Sequence, residues 1–136
     1  MNIYIKSVIL SFFFISVGAR AQEASFTPPF DFPIIFSGNF GEIRANHFHG
    51  GLDFKTGGAI GKPVRALADG YISRIRVTHG SGYVLDVVYD NGYTAIYRHL
   101  SAFVGEVAKR VKALQYEKES WEVEIIPEPA PVSDEG

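Results

Sequence analysis

The chain has 136 residues, of which 46% are hydrophobic and 21% are charged, a composition that is ordinary for one small globular domain. It contains no cysteine, which excludes disulfides, thiolate metal ligands and a cysteine nucleophile, so a transition-metal site must use histidine and carboxylate ligands. The formal net charge is −2, and this mild negative charge does not indicate nucleic acid or an anionic membrane as a partner, because such partners need a basic surface.

The first 21 residues have the pattern of a secretory signal peptide. Lys6 precedes an apolar run over residues 7–17, and Ala19-Arg20-Ala21 is a small-x-small cleavage site. The run is shorter than the roughly 20 residues that a transmembrane helix needs, so no stable membrane anchor is expected. The sequence predicts export to the periplasm, the outer surface or the medium. Removal of Lys6 and Arg20 would leave 11 basic against 15 acidic residues, a net charge of −4.

Short strands separated by glycine turns are predicted along most of the remaining chain. Residues 22–35 form a lead-in rich in proline and phenylalanine, which favours an extended conformation. Alternating apolar residues predict strands over 63–67, 71–77, 83–89 and 93–98, with turns at Asp69-Gly70, Gly80-Ser81-Gly82 and Asp90-Asn91-Gly92. Short, evenly spaced strands of this kind are typical of an antiparallel barrel or sandwich.

The last third of the chain has a different pattern. Apolar residues recur at helical spacing and predict one amphipathic helix over 104–116, with Val104, Val107, Val111 and Leu114 on its apolar face. Residues 120–126 alternate again, which predicts a strand with Trp121, Val123 and Ile125 on one side. Prolines from position 127 onward end the regular structure.

Two histidines and an aspartate lie close together in the stretch HFHGGLDF, residues 47–54. A catalytic zinc takes three protein ligands and leaves its fourth position to water. His49 and Asp53 are four residues apart, and the two glycines between them allow the backbone to direct both side chains to one point. The spacing alone is a modest signal, because a surface histidine beside a turn aspartate is the more common explanation of such a pair.

Three motifs, in this order, resemble the lysostaphin-type, LytM-like zinc peptidases, in a form typical of exported proteins of Bacteroidetes-like bacteria. The motifs are SGNFGEIRANHFHGGLDF, GKPVRALADGYISRI and DNGYTAIYRHLS, and the resemblance extends from about Phe36 to the C-terminus. It implies a mainly β fold over residues 36–136, with an antiparallel barrel-sandwich hybrid core. It also implies zinc-dependent hydrolysis of the peptide cross-links of bacterial peptidoglycan, whose peptide stems or cross-bridges would be the partner.

The resemblance assigns roles to three residues. His49 and Asp53 match two zinc ligands, and His99 matches the catalytic histidine near the metal. The family takes its third ligand from a His-x-His pair on a later strand, but no histidine follows His99 in this sequence. Residues 104–126 resemble a helix-plus-strand insertion that precedes that pair in some members. We therefore expect a fragment with a core incomplete at its C-terminus and two of the three zinc ligands, which hydrolyses poorly or not at all.

Two other histidines are candidate replacements for the third ligand. His47 lies two residues before His49 and points to the same side if the segment is a strand, although a position lining the substrate groove is the favoured interpretation. His79 lies in a predicted turn and is the weaker candidate.

Two other functions stay open. A noncatalytic LytM-like module for cell-wall binding or regulation is favoured by the missing ligand and disfavoured by the presence of His49, Asp53 and His99. A biotinyl- or lipoyl-carrier domain, which GKPVRALADG also resembles, needs an exposed lysine at a hairpin tip. Neither the Asp69-Gly70 turn nor the Asp90-Asn91-Gly92 turn provides one.

Overall fold

A computed structural model describes residues 25–128, which form a mainly β fold with one helix, as the sequence predicts. The predicted signal peptide lies outside the described residues. Among those described, no helix has the length and apolarity to cross a membrane. The elements in chain order are β1 (Phe36–Gly38), β2 (Asp53–Phe54), β3 (Gly70–Thr78), β4 (Gly82–Tyr89), β5 (Thr94–Leu100), α1 (Gly105–Glu117) and β6 (Val123–Ile125).

The centre of the fold is a four-stranded antiparallel sheet with the order β5-β4-β3-β6. The predicted Asn91-Gly92 turn joins β4 and β5, and Gly92 has the positive φ, 85°, that such a turn requires. β1 and β2 form a separate two-stranded antiparallel sheet. Over residues 25–128 the sheets do not close into a barrel, so β5 and β6 are edge strands of the four-stranded sheet.

Helix α1 covers one side of this sheet. Val107 and Leu114 pack on the buried core from the predicted apolar face of the helix, whereas Val104 precedes the helix and is exposed. The predicted strand over 120–126 is shorter in the structure, since β6 contains only Val123–Ile125. One buried cluster of the core consists of Ile75, Val77, Phe103, Val111 and Val123, and Val84, Val87 and Tyr89 are also buried.

The predicted strand over residues 63–67 is wrong. This segment is irregular, and it pairs instead with the lead-in: the N–H of Thr27 donates to the carbonyl of Leu67 (2.7 Å), and the N–H of Arg65 donates to the carbonyl of Pro29 (2.9 Å). The N–H of Leu67 donates to the hydroxyls of Tyr89 and Tyr97, each at 3.2 Å. The lead-in and two side chains of the sheet, rather than a neighbouring strand, therefore satisfy the backbone of this segment.

The tyrosine pair fixes this loop to the sheet. Tyr89 is almost fully buried, and its hydroxyl also bonds to that of Tyr97. Burial and then the bond to Tyr89 raise the pKa of Tyr97 well above its usual value. Tyr97 therefore stays protonated and keeps its hydrogen bonds through the ordinary pH range.

Helix α1 ends in a Schellman motif that places Glu119 in the left-handed region, with φ 46°. The N–H of Ser120 donates to the carbonyl of Gln115 (3.1 Å), and the N–H of Glu119 donates to that of Tyr116 (3.3 Å). Glycine is favoured at this position, because a residue with a side chain costs about 1–2 kcal/mol in the left-handed region. Glu119 thus has a left-handed backbone conformation that is unfavourable for a residue other than glycine.

Candidate functional site

A short hairpin over residues 41–49 positions the first candidate ligand. Its arms are joined by backbone bonds, among them His49 N–H to the carbonyl of Glu42 (2.8 Å) and Arg44 N–H to that of His47 (2.9 Å). Ile43 lies opposite Phe48, and both side chains are exposed, at 81% and 71%. The side chain of His49 is only 17% exposed and faces Asp53.

The structure brings His49 and Asp53 together. The imidazole Nε2 of His49 lies 3.2 Å from Oδ1 of Asp53, the first residue of β2. The other ring nitrogen, Nδ1, lies 2.9 Å from the carbonyl oxygen of Asn39. Since a carbonyl only accepts hydrogen bonds, Nδ1 carries a proton, and the ring is held with Nε2 toward the carboxylate. These two side chains are called the half-site below.

Arg44 fixes the other side of the Asp53 carboxylate. Its Nη2 donates to Oδ2 of Asp53 (2.9 Å) and to Oε2 of Glu42 (3.3 Å), and the same Glu42 oxygen accepts the N–H of Asn39 (3.1 Å). Asn39, Glu42 and Arg44 thus link the outer atoms of the half-site in one hydrogen-bonded ring. Groups of this kind orient metal ligands in other proteins.

Sequence reasoning did not identify these three supporting residues. Glu42 and Arg44 are two positions apart, a spacing that places side chains on one side of an extended segment and was the available signal. The contact of Arg44 with Asp53 depends on how the hairpin folds onto β2, which the local sequence does not show.

The lack of a side chain at Gly38 leaves space for the hydrogen-bonded ring that joins Arg44 to Asp53. A Cβ atom there would lie 2.5 Å from both Arg44 Nη2 and Asp53 Oδ2. We expect Gly38→Ala to lower the free energy of unfolding by about 1–3 kcal/mol, because the ion pair must move to make room. Chemical denaturation of the full chain measures this. Gly50→Ala is the matched control, since a Cβ there meets nothing within 4 Å; equal losses in both variants would contradict the assignment.

His99 lies at a bulge in β5. The register passes from Leu85↔Tyr97 to Tyr83↔Leu100, so one extra residue is accommodated, and His99 has φ 57°. Its N–H donates to the carbonyl of Ser81 (3.0 Å). The residue is exposed at a cleft of about 630 Å³ whose lining includes the loop over residues 59–64.

The backbone of His99 is in a conformation that favours glycine. We expect His99→Gly to raise the free energy of unfolding by about 1 kcal/mol, whereas His99→Ala gives no gain because alanine keeps the left-handed strain. Urea denaturation of the two variants and the unaltered chain makes the comparison. If both variants change stability equally, the backbone is not strained at this position. A stabilising His99→Gly would mean that the imidazole is retained at a cost to the fold, as at many functional sites.

The remaining histidines lie apart from the half-site. His47 is exposed, and its Nδ1 bonds to Oδ1 of its neighbour Asn46 (2.6 Å). His79 is exposed in the turn between β3 and β4. In the part of the chain that the structure describes, no three His, Asp or Glu side chains are close enough to hold a metal ion, and none of the hydrogen bonds found there joins His99 to His49 or Asp53.

The donor set of the half-site suits zinc, which binds imidazole nitrogen and carboxylate oxygen. The pair provides one imidazole nitrogen and one carboxylate oxygen, and residues 25–128 contain no group of three such side chains that could hold a metal ion. The chain is thus a mainly β domain in which a histidine and an aspartate side chain, of the kinds that zinc binds, lie side by side.

Comparison with protein families agrees with this class. Residues 47–116, which are 70 of the 136, match the model of Peptidase family M23, and the chain belongs to that family. The matched region contains His49, Asp53 and His99. Searches of curated proteins and of solved structures found no match.

Proposed function

We propose that this protein is an exported zinc metalloendopeptidase that acts on the peptide cross-links of bacterial peptidoglycan. Membership of a peptidase family supports the hydrolytic activity, and the resemblance to LytM-like proteins supports zinc and the cell-wall substrate. The observation that carries the proposal is the 3.2 Å approach of His49 Nε2 to Asp53 Oδ1. The carbonyl of Asn39 holds Nδ1 of His49, and the guanidinium of Arg44 holds Oδ2 of Asp53.

Different residues of the chain have different roles in the proposed chemistry. Zinc, when bound, polarises the scissile carbonyl and provides a nucleophile at neutral pH. His49 and Asp53 would hold the ion, and Asn39 and Arg44 keep their donor atoms oriented. His99 is exposed in its cleft, where an imidazole can accept or donate a proton to substrate. With two ligands, the chain alone binds zinc weakly and hydrolyses slowly.

A noncatalytic module for cell-wall binding or regulation is the second candidate. The observation that favours it is the lack of a third donor among residues 25–128. The ordered half-site and the disfavoured backbone of His99 weigh against it, because a site that has lost its chemistry has no physical reason to keep either.

One assay separates the two functions. The full chain is incubated with purified peptidoglycan with and without zinc, and both the release of new amino groups and sedimentation with the peptidoglycan are measured. Slow release that needs zinc, and that is lost in Asp53→Asn and His99→Ala but kept in His79→Ala, supports the peptidase. Sedimentation without release, unchanged in all variants, supports the module. If amino groups are not released and the chain does not sediment with the peptidoglycan, both functions are contradicted.

A further inference from the structure

A second concave surface lies between α1 and the segment that follows it. This helix cleft has a volume of about 520 Å³ and includes no residue of the half-site. One wall is a single side of α1, and the other contains Tyr83, Phe103 and Trp121. Concave surfaces that combine aromatic side chains with a few polar groups are typical of small-molecule sites.

The aromatic wall is rigid on one side and open on the other. Tyr83 packs edge-on against Trp121, with ring centroids 5.6 Å apart, and against Phe103, at 5.0 Å. Trp121 nevertheless stays 47% exposed. Tyr116, on the helix side of the cleft, is 74% exposed. Rings fixed by such packing bind a ligand with little loss of side-chain entropy.

The helix wall is polar. Lys112, Gln115 and Glu119 follow at intervals of three and four residues, which places them along one side of the helix and its end. The amide Nε2 of Gln115 donates to the carbonyl of Trp121 (2.8 Å), so the side chain is fixed and its oxygen is left as an acceptor. Lys112 and Glu119 take part in none of the ion pairs found within residues 25–128.

We propose that the helix cleft binds a saccharide. The C–H faces of a pyranose ring pack against aromatic rings, and its hydroxyls both donate and accept hydrogen bonds. They therefore match an ammonium donor, a carboxylate acceptor and an amide oxygen within one cleft. The Ser120 hydroxyl donates to the carbonyl of Glu122 (2.9 Å), and its oxygen is a further acceptor there. The inference does not rest on zinc or on peptide hydrolysis.

Two other ligand classes fit less well. A wholly apolar ligand would remove water from Lys112 and Glu119 without replacing its hydrogen bonds, which is costly. An extended peptide binds best along a free strand edge, where it forms main-chain hydrogen bonds. The wall here is a helix, and the N–H and C=O groups of its interior are already paired.

The single tryptophan of the chain makes the test direct. Trp121 is the only one in the sequence, so its fluorescence reports on this cleft alone. The full chain is titrated with the trimer of N-acetylglucosamine and, separately, with the trimer of glucose, each in the presence and absence of EDTA. We expect a saturable change in emission with at least one trimer, with a Kd of about 1 mM or lower, and no effect of EDTA.

Two variants locate the binding. Tyr116→Ala removes an exposed ring, and Glu119→Gly removes the carboxylate while relieving the left-handed strain, so neither is expected to disturb folding. Each should weaken binding at least about fivefold. Tyr71→Ala removes an exposed tyrosine outside the cleft and should leave the affinity unchanged.

The negative outcomes are distinct. Absence of a saturable response to both trimers overturns the proposal, as does a response that neither Tyr116→Ala nor Glu119→Gly weakens. A response to an apolar dye combined with none to either trimer identifies an apolar groove instead. Loss of the response in EDTA assigns the binding to a metal site and not to the helix cleft.

Discussion

Replacement of Gly70 by alanine is expected to lower the free energy of unfolding by about 3 kcal/mol or more. A Cβ atom at this position would lie 2.2 Å from the carbonyl oxygen of Val88 and 2.7 Å from Cα of Tyr89. Both atoms belong to the backbone of β4, which is paired with β3 from Gly70 onward. Overpacking costs about 1–3 kcal/mol where side chains can move, and here no side-chain rotation removes the clash.

Urea denaturation of the full chain and of two alanine variants measures this effect. Gly80→Ala is the matched control: a Cβ there meets nothing within 4 Å, and Gly80 does not have a positive φ. Its stability is expected to stay within about 0.5 kcal/mol of the unaltered chain, or to rise slightly. Similar losses in Gly70→Ala and Gly80→Ala would show that close approach of β4 is not the reason for glycine at position 70.

Gly70 also shows what a local sequence signal does not distinguish. Asp69-Gly70 reads as a tight turn, but in the structure Gly70 is the first residue of β3, and the need for glycine is the backbone of β4. Both requirements select the same residue. Asn91-Gly92, in contrast, forms the hairpin turn that it predicts, because there the positive φ of Gly92 is a property of the turn itself.

Elements with a strong period were predictable, and elements that depend on distant contacts were not. β3, β4, β5 and α1 follow the predicted segments because their apolar residues recur with the period of a strand or of a helix. Residues 63–67 alternate in the same way, yet their backbone bonds go to the lead-in and to the tyrosine pair. Those partners are distant in sequence, so the alternation alone does not reveal them.

In the candidate site, too, the local sequence indicated some features, whereas others depend on contacts between distant segments. The spacing of His49 and Asp53 indicated that pair. The hydrogen-bonded ring through Asn39, Glu42 and Arg44, in contrast, depends on the packing of hairpin 41–49 against β2. The left-handed backbone of His99 follows from the bulge in β5, and the sequence YTAIYRHL reads as an uninterrupted strand.

Zinc binding by the full chain is expected to fall about a hundredfold or more in His49→Ala and in Asp53→Asn. Loss of groups that merely orient metal ligands already costs 10–100-fold, so loss of one of two ligands costs at least as much. Asp53→Asn keeps the shape of the side chain and removes its charge. Titration calorimetry with zinc chloride at neutral pH measures the affinity, and denaturation curves of the same samples confirm that each variant is folded.

Two histidine controls decide whether the site has two protein ligands or three. His79→Ala removes an exposed imidazole in a distant turn and should leave the affinity unchanged. His47→Ala should do the same, since in the structure the ring of His47 bonds to Asn46 and not to the half-site. If His47→Ala weakens zinc binding as much as His49→Ala, His47 is the third donor. The zinc centre then has its three protein ligands, and weak hydrolysis is no longer expected. If the unaltered chain binds no zinc, His49 and Asp53 are not metal ligands in this polypeptide, and the noncatalytic function becomes the better explanation of the fold.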